Sequence, residues 1–208
     1  MAHTIEGRLP LVAILRGLEP ERAADIGLTL LECGFEIIEV PLNSPDPLTS
    51  IAALVTALGD RALIGAGTVL TEDKVDALAE IGAGLVVSPN CNPAVIRSTA
   101  AHGMVSLPGV LTPTEMFAAI EAGATGLKIF PAEMVSPAII RAVRAVLPPQ
   151  TPAYAVGGIS AANMGDYLGA GIAGFGIGGS LFKPGKPLDD IAADAHAIIA
   201  AFKAALAA

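Results

Sequence analysis

Short apolar runs recur along the 208-residue chain about every 20 to 27 residues, which is the length of one strand–helix unit. Helical, alanine-rich segments separate them, and several of these segments begin with proline, threonine or acidic residues. The runs predict eight strands, at residues 11–15, 36–40, 62–66, 85–88, 104–107, 126–130, 153–156 and 174–178. Eight such units predict a single (β/α)8 TIM barrel domain over residues 1–208, with a short N-terminal helix and no linker for a second domain.

Charge and cysteine content exclude several classes of protein. The formal net charge of −8 argues against nucleic acid as a partner, because proteins that bind it concentrate Lys and Arg on one face. No apolar stretch is long enough to predict a membrane span or a signal peptide. Cys33 and Cys91 lie far apart without a CxxC spacing, so we expect two reduced thiols in a cytoplasmic protein.

The histidines and glycines give no sign of a metal or a dinucleotide. His3, His102 and His196 fall outside the predicted strand ends, where the ligands of a barrel metal site would cluster. No strand–GxGxxG–helix unit followed by an acidic residue is present. We therefore expect an enzyme without a metal ion or another cofactor.

Chemistry in such barrels lies at the carboxyl ends of the strands, and Lys128 is the most informative residue there. It interrupts the otherwise apolar run GLKIF, and strand alternation places it on the same side as Gly126 and Phe130. Burial would lower the pKa of this lysine and expose the neutral amine, which attacks carbonyl carbons. The alternative is a strand-end lysine whose ammonium group reaches solvent.

Three further polar residues end predicted strands and can converge on the same mouth. Glu39 closes the apolar run EIIEV, where a partly desolvated carboxylate suits general acid/base chemistry; alternatively, it forms a stabilising salt bridge with Arg16. Arg16 can hold a carboxylate in a bidentate fork, or form an ordinary ion pair at the strand end. Thr68, in GAGTV, offers a hydroxyl group close by.

Glycine-rich loops follow the last two predicted strands, at Gly157-Gly158 and at Gly178-Gly179-Ser180. Barrels often bind phosphate with the loops after strands seven and eight, where glycine lets backbone N–H groups approach the anion. These loops predict a phosphate site, with simple tight turns as the alternative.

These residues lie in segments that resemble the 2-keto-3-deoxy-6-phosphogluconate and 2-keto-3-deoxy-6-phosphogalactonate aldolase family over essentially the whole chain. The segments are LPLVAILRG, IIEVPLNSP, GAGTVL, LVVSPN, LKIFPAE, AVGGIS and IGGSLF. The resemblance implies a homotrimeric class I aldolase that splits a phosphorylated keto-deoxy sugar acid into pyruvate and glyceraldehyde 3-phosphate.

The resemblance also implies roles for individual residues. Lys128 matches the Schiff-base lysine and Glu39 the general acid/base, while Arg16 and Thr68 match positions that hold the pyruvate carboxylate. The positions that bind the phosphate group in this family match Gly157, Gly158, Gly179 and Ser180. Pro89, Phe130, Val156 and Gly178 are expected to complete the substrate site.

The two branches of this family act on substrates that differ in configuration at C4. AVGG, with Val156, together with ILRG and PLNSP, is similar to the phosphogalactonate branch, whereas PAE at residues 131–133 resembles the phosphogluconate branch. We therefore expect the phosphogalactonate substrate and keep phosphogluconate or dual specificity open. Two other functions stay open: a phosphate-binding barrel isomerase or synthase that uses acid/base chemistry alone, and a non-catalytic barrel that binds sugar acids or a protein.

Overall fold

Nine parallel strands form one continuous sheet in the computed structural model, which describes residues 3–207. The strands are β1 (Leu11–Ile14), β2 (Ile37–Pro41), β3 (Leu63–Gly67), β4 (Leu85–Val87), β5 (Val105–Leu107), β6 (Gly109–Val110), β7 (Leu127–Ile129), β8 (Ala153–Val156) and β9 (Gly174–Ile177). Their order in the sheet is β5-β4-β3-β2-β1-β9-β8-β7-β6. Every residue of these strands is buried, as expected for parallel strands that are covered on both faces.

The two ends of this sheet are halves of one interrupted strand. Only Pro108 separates β5, which pairs with β4, from β6, which pairs with β7. Proline has no backbone N–H to add to the ladder, so the strand is broken there. The carbonyl of Pro108 still accepts a hydrogen bond from the N–H of Lys128, at 2.9 Å. Counted this way, the barrel has eight strands, and the predicted (β/α)8 architecture is confirmed.

Among residues 3–207, eight helices cover the barrel: α1 (Pro20–Cys33), α2 (Pro47–Leu58), α3 (Glu72–Glu80), α4 (Pro93–Ala101), α5 (Pro113–Glu121), α6 (Pro137–Arg144), α7 (Met164–Leu168) and α8 (Leu188–Ala207). Short 3-10 turns occupy Gly59–Arg61 and Ala132–Met134. Five of these helices begin with proline. Proline is favourable there because the first N–H groups of a helix have no hydrogen-bond partner within the helix, so its missing N–H costs no hydrogen bond. Within the described residues, no helix is long and apolar enough to cross a membrane.

Apolar side chains form two separate layers. The larger layer fills the space between the strands and the helices. The smaller layer packs inside the barrel and consists of Ile5, Val12, Ile37, Leu63, Leu85, Val87, Val105, Leu107 and Tyr154. Because these side chains fill the interior, ligands have access only from the ends of the barrel.

The predicted short N-terminal helix is wrong for the residues that the structure describes. Residues 3–10 are irregular with a turn at Glu6 and Gly7, and Gly7 adopts a left-handed conformation with φ 79°. Ile5 is buried and joins the apolar layer inside the barrel. The segment therefore packs one side chain into the barrel instead of forming local helical hydrogen bonds. Any part of that prediction on residues 1 and 2 lies outside the described residues.

Candidate active site

Lys128 and Glu39 project from β7 and β2 into one cavity inside the barrel. They line it together with Val12, Ile14, Val87, Leu107, Tyr154, Val156 and Gly176. Only 7% of Lys128 and 2% of Glu39 is exposed. The cavity is otherwise lined mainly by apolar side chains, so neither charge is well solvated. The predicted inward orientation of both residues is confirmed.

The Glu39 carboxyl group has the electrostatics of a proton carrier. Burial raises its pKa to about 7, although the positive charges of Lys128 and Arg16 act in the opposite direction. Its Oε2 atom is buried and has no hydrogen-bond partner among the described residues. A carboxyl group with a pKa near neutrality can both accept and return a proton at physiological pH. The unpartnered oxygen is available to a substrate hydroxyl or a water molecule.

The Lys128 amine is shifted toward its neutral form. Burial lowers its pKa and nearby Arg16 lowers it further, while the negative charge of Glu39 raises it. The Nζ atom lies 4.6 Å from the centroid of the Phe130 ring, which confines the amine on one side. A buried primary amine of lowered basicity is the form that condenses with carbonyl groups.

Arg16 follows β1 at the mouth of the barrel, and its side chain is exposed. Its Nη1 atom donates a hydrogen bond of 2.6 Å to Oδ1 of Asn43, in the loop after β2. One residue further along each loop, the N–H of Gly17 donates to Oγ of Ser44 at 2.9 Å. The guanidinium group therefore has a partner within the protein and is not paired with Glu39. The interpretation of Glu39 and Arg16 as a plain salt bridge finds no support in this geometry.

The two glycine-rich loops come together in one open cleft of about 280 Å³. It is lined by Ile14, Arg16, Val156, Gly157, Gly158, Ile159, Gly176, Ile177, Gly178, Gly179 and Ser180. Gly157 and Gly158 have φ values of 102° and 66°, which a residue with a Cβ rarely adopts. Ile14, Val156 and Gly176 also line the Lys128 cavity, so the cleft lies directly beside it. The arrangement suits an elongated substrate whose anionic end lies at the glycines.

Thr68, Pro89 and Phe130 lie at the same end of the barrel, immediately after β3, shortly after β4 and after β7. Phe130 contacts Lys128, whereas Thr68 and Pro89 are not among the residues that line the two cavities. Thr68 has a φ of 59°, an unfavourable conformation for a β-branched residue. Such strain is often found at functional sites.

Two residues of this site were missed by the sequence interpretation, Gly67 and Tyr154. A Cβ atom at Gly67 would overlap the Glu39 carboxylate, so glycine is required for that side chain to lie where it does. The motif GAG ahead of Thr68 was a possible signal, because glycine within a strand often marks a close approach. Tyr154 lines the Lys128 cavity, and burial raises its pKa to about 12. Tyr154 lies in a strand of apolar residues, so nothing in the sequence distinguished it from an ordinary core residue.

Among the described residues, no three His, Cys, Asp or Glu side chains are grouped so that they could hold a metal ion. The polar groups at the mouth are a lysine, a carboxylic acid, an arginine, hydroxyls and backbone amides. This set suits carbonyl condensation, proton transfer and anion binding.

The protein is a (β/α)8 barrel with a buried lysine and a buried glutamate close to its carboxyl-terminal mouth. This combination places it in the class of barrel enzymes that act on carbonyl compounds. The family model for KDPG and KHG aldolase matches residues 4–200. The chain belongs to the KDPG and KHG aldolase family.

Individual relatives agree with this assignment. The chain is 53% identical over 195 residues to the probable 2-dehydro-3-deoxy-6-phosphogalactonate aldolase of Rhizobium meliloti (strain 1021), covering 94% of this chain and 92% of the relative. It is 46% identical over 200 residues to the 2-dehydro-3-deoxy-6-phosphogalactonate aldolase of Escherichia coli (strain K12), covering 96% and 97%. A solved structure described as native KDPGal superposes with a TM-score of 0.95 at 44% identity, covering 100% of both chains.

Proposed function

We propose that this enzyme cleaves 2-dehydro-3-deoxy-6-phosphogalactonate to pyruvate and D-glyceraldehyde 3-phosphate through a Schiff base on Lys128. The observation that carries the proposal is the buried Lys128 amine of lowered pKa, which shares a cavity with the Glu39 carboxyl group. Relatives named for this activity at 53% and 46% identity support the substrate. The reaction belongs to the degradation of galactonate.

The proposed reaction begins with the amine. Neutral Lys128 attacks the C2 carbonyl, and the resulting carbinolamine takes one proton from solvent and loses its hydroxyl group as water to give a protonated imine. Glu39 removes the proton of the C4 hydroxyl, the C3–C4 bond breaks, and its electron pair moves to the imine to form an enamine. Glyceraldehyde 3-phosphate leaves, and Glu39 returns a proton to C3. Water then hydrolyses the protonated imine to release pyruvate and neutral Lys128, and the proton taken up during imine formation returns to solvent. Every proton and electron pair is accounted for without a metal ion or another cofactor.

The mouth of the barrel supplies the binding groups. Arg16 and Thr68 hold the carboxylate next to C2, and Pro89 and Phe130 border the pyruvate portion. The phosphate binds to the backbone N–H groups of the glycine loops, at Gly157, Gly158, Gly178, Gly179 and Ser180. The position of this cleft directly beside the Lys128 cavity, with three lining residues in common, supports the assignment.

We assign the preference at C4 to Val156, which borders both cavities and is 9% exposed. A methyl group here cannot form the hydrogen bond that a hydroxyl would offer to one C4 epimer. The phosphogalactonate substrate is therefore favoured over 2-dehydro-3-deoxy-6-phosphogluconate.

We also infer that the enzyme is a cytoplasmic homotrimer. Exposed apolar side chains lie on consecutive elements from α5 to the end of α6, at Phe117, Met134, Ile139 and Val146. Ile139 lines an apolar groove, and each of the other three is next in the chain to a residue that lines it. Exposed apolar side chains beside an apolar groove favour association between copies. The cytoplasmic location is supported by the free thiols of Cys33 and Cys91.

Borohydride reduction in the presence of pyruvate, followed by peptide mass spectrometry, tests the chemistry. An adduct on the Lys128 peptide supports the imine, and kcat/KM values for the two C4 epimers then decide the substrate. No adduct on any lysine overturns the proposal and favours an isomerase or synthase that uses acid/base chemistry alone.

A further inference from the structure

The loop between β2 and α2, residues 42–46, is restrained by prolines and by backbone hydrogen bonds. Prolines stand at positions 41, 45 and 47 and restrict the backbone on both sides of Asn43. The N–H of Leu42 donates to the carbonyl of Gly67 at 2.8 Å, and the N–H of Ser44 donates to that of Pro41 at 2.9 Å. Asn43 therefore extends from a backbone that has little freedom to move.

This loop presents the Asn43 amide oxygen to the guanidinium group of Arg16 at 2.6 Å. The contact joins residues that are 27 positions apart, at the ends of neighbouring strands. Arginine has five N–H donors in a planar fork, so one bond to Asn43 leaves most of them free for a ligand. Asparagine is neutral, so it orients the guanidinium group without cancelling the positive charge that an anion needs.

A long exposed arginine loses much rotational freedom when it binds an anion in one geometry. An amide on a rigid loop restricts that freedom before the ligand arrives, and pre-organisation of this kind strengthens binding. We infer that Asn43 is a positioning residue, which holds Arg16 in the orientation that receives the substrate carboxylate. The inference rests on the proposed function, in which Arg16 binds that carboxylate.

A purely structural role for Asn43 would be to join the two loops. The backbone N–H of Gly17 already does this through Oγ of Ser44, at 2.9 Å. The Asn43 side chain reaches the guanidinium group itself and not the Arg16 backbone. A positioning role and a structural role therefore predict different behaviour when Arg16 is removed.

Pyruvate is the sharpest probe, because it carries the carboxylate and the carbonyl but no phosphate. The experiment measures the pyruvate concentration that half-saturates borohydride trapping of Lys128, in the full-length chain. The variants are Asn43→Ala, Arg16→Ala and the double variant, and circular dichroism checks that each one is folded. Thr49→Ala, an exposed position on α2 close to the same loop, is the matched control.

Asn43→Ala is expected to raise the half-saturating pyruvate concentration about tenfold, while the maximal trapping rate stays within about twofold. When Arg16 is already replaced by alanine, Asn43→Ala should raise the half-saturating pyruvate concentration by less than about twofold, because no guanidinium group remains to be positioned. An unchanged half-saturating concentration for Asn43→Ala overturns the inference. The inference is also overturned if Asn43→Ala raises the half-saturating concentration by the same factor in the presence and in the absence of Arg16. Absence of trapping in the wild-type protein would instead refute the proposed function, so the two failures are distinguishable.

Discussion

The backbone of Gly67 on β3 lies against the carboxylate of Glu39 on β2, so closely that a Cβ atom at position 67 would overlap all three atoms of that carboxyl group. The two strands pair in parallel with Glu39 opposite Gly65, which places Gly67 one inward-facing position further along. The missing side chain provides the space in which the acid is buried. The high pKa of Glu39 thus depends on a neighbour with no functional group of its own.

Gly67→Ala should displace the Glu39 carboxylate and lower kcat by about 10- to 1,000-fold. The loss of stability should be moderate, about 1 to 3 kcal/mol, because the overlap is with the end of a side chain and not with backbone. Steady-state kinetics and urea unfolding measure the two effects. Gly165→Ala, in α7, is the control, since its Cβ would meet only Ala205 at 4.0 Å. Wild-type kcat in Gly67→Ala would contradict the steric argument.

Thr68 combines a left-handed backbone conformation with a proposed role in carboxylate binding. Thr68→Gly removes the steric strain together with the hydroxyl, so we expect a free energy of unfolding that is unchanged or raised by about 1 kcal/mol. The KM should rise by about 10-fold or more. Thr68→Ser keeps the hydroxyl and should keep the KM within a few-fold. A loss of more than about 2 kcal/mol in Thr68→Gly would assign the side chain a structural role instead.

The pH dependence of kcat/KM should reflect the protonation of the Glu39 carboxyl group. The proposed step needs its carboxylate form, and its pKa of about 7 means that this form is lost as the pH falls below 7. Loss of the Glu39 carboxylate alone should therefore lower kcat/KM about tenfold per pH unit below pH 7. Protonation of Lys128 acts in the same direction, because only the neutral amine attacks. In Glu39→Gln, the residual kcat/KM should no longer show the decline that is caused by protonation of Glu39. The exposed Glu121→Gln is the control and should keep the wild-type pH profile. A decline of wild-type kcat/KM that begins only near pH 4 would contradict the assignment of this titration to Glu39.

Val156→Thr should shift the preference between the C4 epimers. The added hydroxyl offers a hydrogen bond in a nearly buried position, and we expect the ratio of kcat/KM values to move about 3- to 30-fold toward the phosphogluconate epimer. Both epimers are measured in parallel with purified protein. Val55→Thr, on α2 and not among the residues that line either cavity, is the control and should leave the ratio unchanged. An unchanged ratio in Val156→Thr would place the C4 preference elsewhere.

Lys128→Ala should abolish turnover, with a loss of at least about 1,000-fold, and should abolish the pyruvate adduct while the fold stays intact. Mass spectrometry after borohydride treatment and circular dichroism provide the two readouts. Lys203→Ala, at an exposed position of α8, should retain full activity and trapping. Turnover that persists in Lys128→Ala would remove the Schiff-base mechanism.

Several features were predictable because they depend on local pattern. Parallel barrel strands are buried on both faces, so they appear as apolar runs, and a lysine or glutamate inside such a run stands out. The strand interrupted at Pro108 was predicted as one shorter strand, because its second half, Gly109–Val110, is too short to give a pattern. The N-terminal helix was predicted wrongly because burial of Ile5 outweighs local helix formation.

The chain's own pattern of residues therefore determined the barrel, the inward orientation of Lys128 and Glu39, and the two glycine loops after the last strands. The tertiary structure decided that Gly67 makes room for Glu39, that Asn43 holds Arg16, and that the glycine cleft lies beside the Lys128 cavity. These relationships join residues from different strands and loops, and they depend on the stagger between neighbouring strands. Barrel closure sets that stagger through hydrogen-bond register, which no single segment encodes.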